Sequence, residues 1–356
     1  MEKKKLGKII LCSVLGLVLV LLCVTYAITA HELNKSFERA SYPEKRFSPS
    51  YTYEDYAQGH PRTAVTFKSG KNTLNGWIYC PQNTKGLIVF AHGIGCGNET
   101  YLNLLMPLTD CGWCVFAYDA TGSCTSEGKG TMGLPQSALD LHNALLFVES
   151  DPQLSSMPLF ILGHSWGGFA VTAVQNFDHD IKACVSLSGY AEPYEELCEG
   201  CDRMVGSAGP LLHPFVWLWN KLRFGKYANL SAVKGINKSG IPVLVVHGNG
   251  DGTISYEGSS IISKKEKITN PNVEYYVFSD PRFNGHNSYF NTPEYVEYKK
   301  TILEPRQQEL YAQYGTENIP DDVREEFYAS VDRTIYNGLN EELFSLIDGF
   351  FTKNNR

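Results

Sequence analysis

Short, almost uninterrupted apolar segments alternate with segments of helical period along most of this 356-residue chain. Strands that are apolar on both faces are typical of a parallel sheet with helices on each side, because both faces of such a sheet are buried. The predicted strands are Ala64–Lys68, Leu74–Cys80, Leu87–Ala91, Cys114–Tyr118, Leu159–Leu162, Cys184–Leu187, Val243–Val246 and Val273–Phe278. The predicted helices are Glu99–Cys111, Leu134–Ser150, Phe169–Phe177, one near Tyr256–Lys267, and Glu341–Phe351. The pattern indicates an α/β domain over residues 63–356.

Two long segments interrupt this alternation. Residues 190–238 lie between two predicted strands, and residues 295–338 form a charged, helical segment after the last strand. Long excursions inside a compact domain usually serve a function, such as covering a binding site. We therefore predict a lid over about 190–238 and an extra helical segment over about 295–338.

The N-terminus carries the pattern of a membrane signal. Four lysines within the first eight residues precede Ile9–Ala30, which contains no charge over 22 residues. About 20 apolar residues are enough for a helix to cross a bilayer, and flanking lysines favour a cytoplasmic N-terminus. We predict a transmembrane signal anchor over residues 1–30, a linker over 31–62 and an extracytoplasmic remainder. The alternative is a secreted protein whose signal peptide is cleaved near Ala27.

Charge and cysteine content limit the partners. The net charge is −7 and the basic residues cluster only at the N-terminus, so we expect no nucleic-acid partner. Ten cysteines include two C-x-x-C pairs, Cys111/Cys114 and Cys198/Cys201, whose separation does not fit a zinc ribbon. We predict no metal site, and either unpaired structural thiols or a local Cys198–Cys201 disulfide.

The strongest chemical signal is a G-x-S-x-G sequence, GHSWG, at residues 163–167. It follows the predicted strand Leu159–Leu162 and opens a predicted helix. A sharp strand-to-helix turn requires glycine on both sides and exposes the serine hydroxyl. In that context Ser165 is the candidate nucleophile.

A serine hydroxyl needs a base, and the base needs a carboxylate to orient it. Asp251 and His286 each follow a predicted strand, and they come after Ser165 in the chain order that a strand–turn–helix nucleophile requires. Asp280 also follows the last strand, but it lies too close to His286 in sequence to be the first choice. The predicted catalytic residues are therefore Ser165, Asp251 and His286.

Acyl transfer also needs N–H donors for the oxyanion that develops on the carbonyl. The glycine-rich turn after Leu87–Ala91 offers the backbone N–H of Ile94, and the residue after the nucleophile offers that of Trp166. We predict that these two amides form the oxyanion hole. His92 is expected to brace the turn.

These motifs together resemble the α/β-hydrolase superfamily, and within it lid-bearing serine hydrolases of the serine aminopeptidase and monoglyceride-lipase type. The matching stretches are Ala91–Gly95, Ala117–Ser123, Ser126–Gly128, Gly163–Gly168, Val246–Gly248 with Asp251, and Gly285–His286. The resemblance covers about residues 63–351. Two departures are Cys96 and Cys124, which stand where such proteins often have small residues; they are either simple replacements or a redox-sensitive pair. Asp119 is expected to brace a turn.

The resemblance implies a serine hydrolase that needs no metal or organic cofactor. An aromatic lid segment and a membrane anchor favour a carboxylic ester with an acyl chain. A serine peptidase of the aminopeptidase type and an acyltransferase remain alternatives. A non-catalytic binding protein is less favoured, because all three triad positions have candidates.

Overall fold

One mixed sheet forms the centre of the molecule in a computed structural model that describes residues 2–355. Its strands are β1 (Arg62–Ser69), β2 (Asn72–Tyr79), β3 (Leu87–Ala91), β4 (Cys114–Tyr118), β5 (Leu159–His164), β6 (Ala183–Leu187), β7 (Val243–Gly248) and β8 (Val273–Phe278). All eight correspond to predicted strands. The nearly continuous apolar runs of β3 to β7 are covered on both faces, as such runs require, whereas β1 and β8 are partly exposed.

The strand order in the sheet is β1-β2-β4-β3-β5-β6-β7-β8. β1 and β2 form an antiparallel hairpin, β2 pairs antiparallel with β4, and the remaining pairs are parallel. Every residue of β3 to β7 is buried. The parallel strands therefore end at a common edge, where the loops that follow β3, β5, β7 and β8 meet.

Helices cover both faces of this sheet. The α-helices of the described residues are α1 (Glu2–Ser36), α2 (Tyr53–Tyr56), α3 (Leu102–Asp110), α4 (Gln136–Ser150), α5 (Trp166–Ala173), α6 (Pro193–Val205), α7 (Gly209–Phe224), α8 (Ala232–Ser239), α9 (Pro293–Tyr298), α10 (Glu304–Tyr314), α11 (Asp321–Ala329), α12 (Arg333–Tyr336) and α13 (Glu341–Lys353). Val89 and Ile161 face α4, α5 and α8, whereas Ile88, Phe90 and Phe160 face α3 and α13. This alternation is the two-residue period of a strand.

The predicted helix near Tyr256–Lys267 is wrong. The chain forms turns there and only a short 3-10 helix, Ile262–Lys267. Serine hydroxyls bind local carbonyl groups: Ser260 donates to the carbonyl of Tyr256, and Ser263 to that of Gly258. Such bonds offer the backbone an alternative to the helix.

The N-terminal segment is attached to the domain. α1 continues to Ser36, six residues beyond the apolar run. Residues 37–56, here called the strap, then cross the common edge of the sheet, and Ala40 forms a β-bridge with Ser123. Residues 293–337, here called the insertion, contain α9 to α12 and are helical as predicted. Helices α6 and α7 lie within the 190–238 segment that the sequence predicts to be a lid; the two helices are here called the lid, and that role stays a prediction.

Candidate active site

Ser165 lies on the sharp turn between β5 and α5. Its backbone has a φ of 57°, which few residues other than glycine adopt. A side chain at Gly163 would collide with the carbonyl of Gly167, and one at Gly167 would collide with the carbonyl of Ala91. The two glycines are thus required by close backbone packing, and the strained turn directs the hydroxyl toward the loops of the common edge.

The structure brings Ser165, His286 and Asp251 together, although they are separated by up to 121 residues. His286 Nε2 lies 2.9 Å from Ser165 Oγ, and His286 Nδ1 lies 2.7 Å from Asp251 Oδ2. A carboxylate only accepts hydrogen bonds, so Nδ1 carries the proton. Nε2 of the neutral ring therefore has a free lone pair that faces the serine hydroxyl.

Asp251 is held as a carboxylate. Its Oδ1 accepts hydrogen bonds from the backbone N–H groups of Thr253 and Ile254, at 2.8 and 2.9 Å. Burial alone would raise the pKa of Asp251, but hydrogen bonds from His247, His286 and the Ile254 amide outweigh burial and hold that pKa well below its usual range. The charge needed to orient the imidazole is therefore present across the physiological pH range.

His247 is a neighbour that sequence reasoning missed as a site residue. Its Nε2 lies 3.0 Å from the carbonyl oxygen of Ile254 and 3.3 Å from Asp251 Oδ2, two acceptors, so this nitrogen is the donor. His247 occupies a buried position within the strand β7. A histidine in an otherwise apolar strand, four residues before Asp251, was the available signal.

The two amides predicted for the oxyanion hole lie on either side of the nucleophile's turn. Ile94 follows β3 and lines the cleft that contains Ser165 and His286, and Trp166 is the first residue of α5. In the part of the chain that the structure describes, neither N–H group donates to a backbone carbonyl in a turn, loop or helix cap. Both amides thus lack a backbone acceptor of this kind, as amides at a helix N-terminus and in a glycine-rich turn often do.

A buried network of hydrogen bonds joins these loops. Tyr101 accepts a hydrogen bond from the N–H of Gly93 at 3.2 Å and lies 2.8 Å from His164 Nδ1. His164 Nε2 lies 3.2 Å from the carbonyl oxygen of His286. Burial, reinforced by the nearby His286, lowers the pKa of His164 to about 3. The neutral ring therefore donates from Nε2 and accepts from Tyr101, which connects the loop after β3 to the loop that carries His286.

Three other polar residues support loops. His92 accepts from the N–H of Ala120 at 2.9 Å and braces its turn as predicted. Asp119 accepts from the N–H groups of Asn98 and Thr125, both at 3.0 Å, and also braces turns. Asp280 pairs with the exposed Arg282. The acid in contact with His286 is thus Asp251.

The cysteines near the site have the character of structural thiols. Burial raises the pKa of Cys96 to about 11 and the pKa of Cys124 to about 12. Cys198 and Cys201 lie one turn apart on α6, both as free thiols, and burial raises the pKa of Cys198 to about 11. Thiols that remain protonated at neutral pH are poor nucleophiles and oxidise slowly.

Known structures share this architecture. An esterase from Pyrococcus furiosus is 17% identical with a TM-score of 0.53, over 80% of this chain and all of that one. The Pyrococcus horikoshii acylaminoacyl peptidase is 17% identical with a TM-score of 0.52, over 82% of this chain and 41% of that one. Acetyl xylan esterase 1 from a Thermoanaerobacterium species is 14% identical with a TM-score of 0.50, over 74% and 87%. The chain has the α/β-hydrolase fold.

The family model that matches the chain is that of the serine aminopeptidases, S33, over residues 82–227. The matched region contains Ser165 and most of the lid, and it ends before Asp251 and His286. No curated protein sequence matches the chain. The resemblance inferred from the motifs is thus confirmed for the fold and for the matched region.

The lid of this α/β-hydrolase is tied to the loop that carries Asp251. Glu199 accepts from the backbone N–H groups of Ser255 and Ser259, at 3.0 and 2.9 Å. Glu196 accepts from the Ser259 hydroxyl, and burial raises the pKa of Glu196 to about 7. Movement of α6 would therefore disturb the loop that orients the imidazole.

The other lid helix, α7, contacts the end of α1. Asn34 Oδ1 accepts from Trp219 Nε1 at 3.1 Å and from Arg223 at 2.9 Å, and Phe37 stacks on Trp219 with ring centroids 5.5 Å apart. The opposite side of α7 exposes Leu211 and Leu222. α7 is thus apolar on the face toward the domain and also on the face that points outward.

Proposed function

We propose that this α/β-hydrolase cleaves a carboxylic ester through a covalent acyl-enzyme. The observation that carries the proposal is the unbroken chain of contacts from Asp251 through His286 to Ser165, at a cleft of about 550 Å³ lined by Ile94, Ser165 and His286. A nucleophile, an oriented base and free amide donors around one open space are what acyl transfer requires.

In the proposed reaction, Ser165 Oγ attacks the ester carbonyl carbon while His286 Nε2 takes the hydroxyl proton. The N–H groups of Ile94 and Trp166 bind the oxyanion of the tetrahedral intermediate. The intermediate collapses as the imidazolium returns the proton to the leaving alkoxide, which departs as an alcohol. Water, activated by the same nitrogen, then releases the carboxylic acid and restores the serine.

A labelling experiment tests this chemistry. A fluorophosphonate should label the full-length wild type in detergent, and Ser165→Ala should abolish labelling. His286→Ala should reduce the labelling rate by about 10³-fold or more, because the serine loses its base. Ser188→Ala, another buried serine next to a strand end, is the matched control and should label like wild type. A folded wild type that does not react would refute the proposed nucleophile.

A serine peptidase is the second candidate, favoured by the match to the serine aminopeptidase family model. Both activities use the same acyl-enzyme, so the substrate decides between them. Turnover of p-nitrophenyl acyl esters with no turnover of aminoacyl anilides would support the esterase. The reverse result would establish the peptidase.

We also propose that α1 anchors the enzyme in a membrane, with the catalytic domain outside the cytoplasm. The side chains from Ile9 to Val24 are all exposed, in a helix window with a mean hydropathy of 2.8. The last turns of α1 instead pack on the domain, through Tyr26, Ala30 and Leu33. Cleavage near Ala27 would remove Tyr26 from that contact, which supports an uncleaved anchor.

The mass of the protein purified from membranes tests the anchor. An uncleaved anchor predicts an intact N-terminal segment and resistance to extraction by alkaline carbonate. A mature N-terminus near Ile28, with the protein in the soluble fraction, would favour the secreted form. Protease treatment of intact cells should digest the domain if it lies outside.

A further inference from the structure

A second chamber adjoins the catalytic cleft and extends away from Ser165. Its volume is about 650 Å³. The two spaces share five lining residues, Ser50, Tyr51, Cys96, Glu99 and Thr100. The loop that carries Ile94 separates them only in part, since Gly95 and Cys96 line the chamber while Ile94 lines the cleft. A substrate whose carbonyl lies at Ser165 can therefore extend one arm into the chamber.

The strap and the insertion form the outer walls of this chamber. Arg46 of the strap lies 3.1 Å from Asp321 of α11. Arg333 of α12 lies 2.7 Å from Asp55 and also donates to carbonyl oxygens of the strap. The side chain of Asn337 accepts from the N–H of Tyr51 at 2.8 Å. These contacts hold two segments about 280 residues apart in sequence as one wall.

The charged side chains that line the chamber are paired with partners in the protein. The pairs are Lys45–Glu54, Arg46–Glu325, Arg333–Asp55 and Arg62–Glu99, at 3.0, 3.9, 2.7 and 2.6 Å. Among the described residues, Glu99 is the only acidic side chain on the cleft, and Arg62 neutralises it. Aromatic rings, prolines and a methyl group make up much of the remaining wall, namely Tyr42, Pro43, Pro49, Tyr51, Tyr328 and Ala329.

We propose that the chamber is a specificity subsite for an uncharged, extended arm of the ester substrate. This rests on the proposed acyl-enzyme chemistry and adds the substrate class to it. A free α-amine enters a partly dehydrated site only where a carboxylate compensates its charge. An uncharged chain needs no such partner and gains from the burial of its apolar surface. Because the charged side chains of its walls are already paired, the chamber favours a neutral ester over a substrate with a protonated amine.

A blocking substitution tests the subsite. Ala329→Trp places a bulky ring in the chamber wall, and Ala312→Trp, on the exposed surface of α10, is the matched control because it does not line the chamber. We expect kcat/KM of wild type to rise with chain length either in p-nitrophenyl acyl esters or in alkyl acetates. Ala329→Trp should lower kcat/KM for the longest ester of that series by about tenfold or more. For p-nitrophenyl acetate, kcat/KM of Ala329→Trp should stay within about twofold of the wild-type value, because the acetyl group is too short to reach the chamber.

A binding measurement separates the subsite from the chemistry. Ser165→Ala should bind the eight-carbon ester of the series that responds, methyl octanoate or octyl acetate, and adding Ala329→Trp should weaken that binding about tenfold, whereas octylammonium should bind more weakly than the ester. Tighter binding of octylammonium, or equal behaviour of the Ala329→Trp and Ala312→Trp proteins in both assays, would overturn the subsite. If fluorophosphonate labelling fails while this binding pattern holds, the proposed chemistry is refuted and the subsite stands.

Discussion

The lid and the strap–insertion wall cover neighbouring parts of the same sheet edge, but different forces hold them. The lid is attached mainly through buried or nearly buried groups: Trp219 of α7 is 3% exposed, and the side chain of Glu196 in α6 is 11% exposed. The wall is held by ion pairs whose side chains are substantially exposed, with Arg46 43% and Arg333 44% exposed. Water weakens exposed pairs, whereas buried contacts depend on packing and desolvation.

Because of this difference, we expect the lid and the strap–insertion wall to respond to different solution conditions. Exposed ion pairs weaken as the salt concentration rises. The protonation of a buried carboxyl depends on pH, and buried aromatic packing is sensitive to changes in side-chain volume. The lid is therefore expected to be the rigid cover and the wall the adjustable one. The substitutions that follow test this contrast.

The largest effect is expected for the aromatic contact of the lid. Trp219→Ala should lower the free energy of unfolding by about 3–5 kcal/mol, because it leaves a cavity beneath α7 and removes the stacking on Phe37. Trp217→Ala, two residues away and 48% exposed, is the control and should have a small effect. Thermal denaturation of the full chain in detergent measures both. Equal losses would contradict a lid held by buried packing.

The lid should also respond to pH through Glu196. Burial raises its pKa from 4.5 to about 7, so between those values the native lid binds a proton more tightly than the unfolded chain does. The stability that this proton provides is complete below about pH 4.5 and is lost as pH rises to about 7, an effect on the order of 2–3 kcal/mol. Glu196→Gln should make the melting temperature less dependent on pH over that interval. Glu195→Gln, which removes a carboxylate from a side chain 37% exposed on the same helix, is the matched control.

A smaller effect is expected at the wall. Arg333→Ala removes the bonds to Asp55 and to the strap carbonyls, which should destabilise the strap by about 1–2 kcal/mol without lowering the stability of the sheet. Hydrogen exchange should increase in residues 41–55 and stay unchanged in β3 to β7. Lys300→Ala, on an exposed side chain of the same insertion, is the control. Faster exchange throughout the sheet would show that the wall is part of the core.

The smallest effect is that of salt on the wild type. Raising NaCl from 0.05 to 1 M should weaken the exposed wall pairs by under about 1 kcal/mol in total. The expected result is faster exchange in the strap, with no change in α6 and α7. If hydrogen exchange in the strap does not depend on salt, the proposed contrast between the lid and the strap–insertion wall is wrong.

Much of this architecture is readable from sequence because the signals are local. β3, β4 and β8 have the predicted bounds, and β3 and β4 are apolar runs that end at a turn. The placement of Ser165, Asp251 and His286 at one edge follows from parallel strands, whose carboxyl ends meet. Their catalytic roles stay a prediction until the labelling experiment is done.

The features that sequence did not predict depend on distant contacts. Nothing near Arg333 in the chain indicates that it binds Asp55, 278 residues away. Tyr101 lies in a segment that predicts only a helix, and its contact with His164 arises from the fold. The wrong helix near residue 260 has the same origin in part, because Glu199 of the lid binds the backbone of that segment.

The attachment of α1 has a mechanical consequence. A helix of 35 residues is about 52 Å long, and its last turns are fixed to α7 with no flexible spacer between them. If α1 is the proposed membrane anchor, the domain is joined to it rigidly, whereas a flexible linker would let the domain move freely around its anchor point. Such an anchor would hold the candidate site at a fixed distance from the bilayer, and the site would then reach only substrates within a thin layer parallel to the membrane.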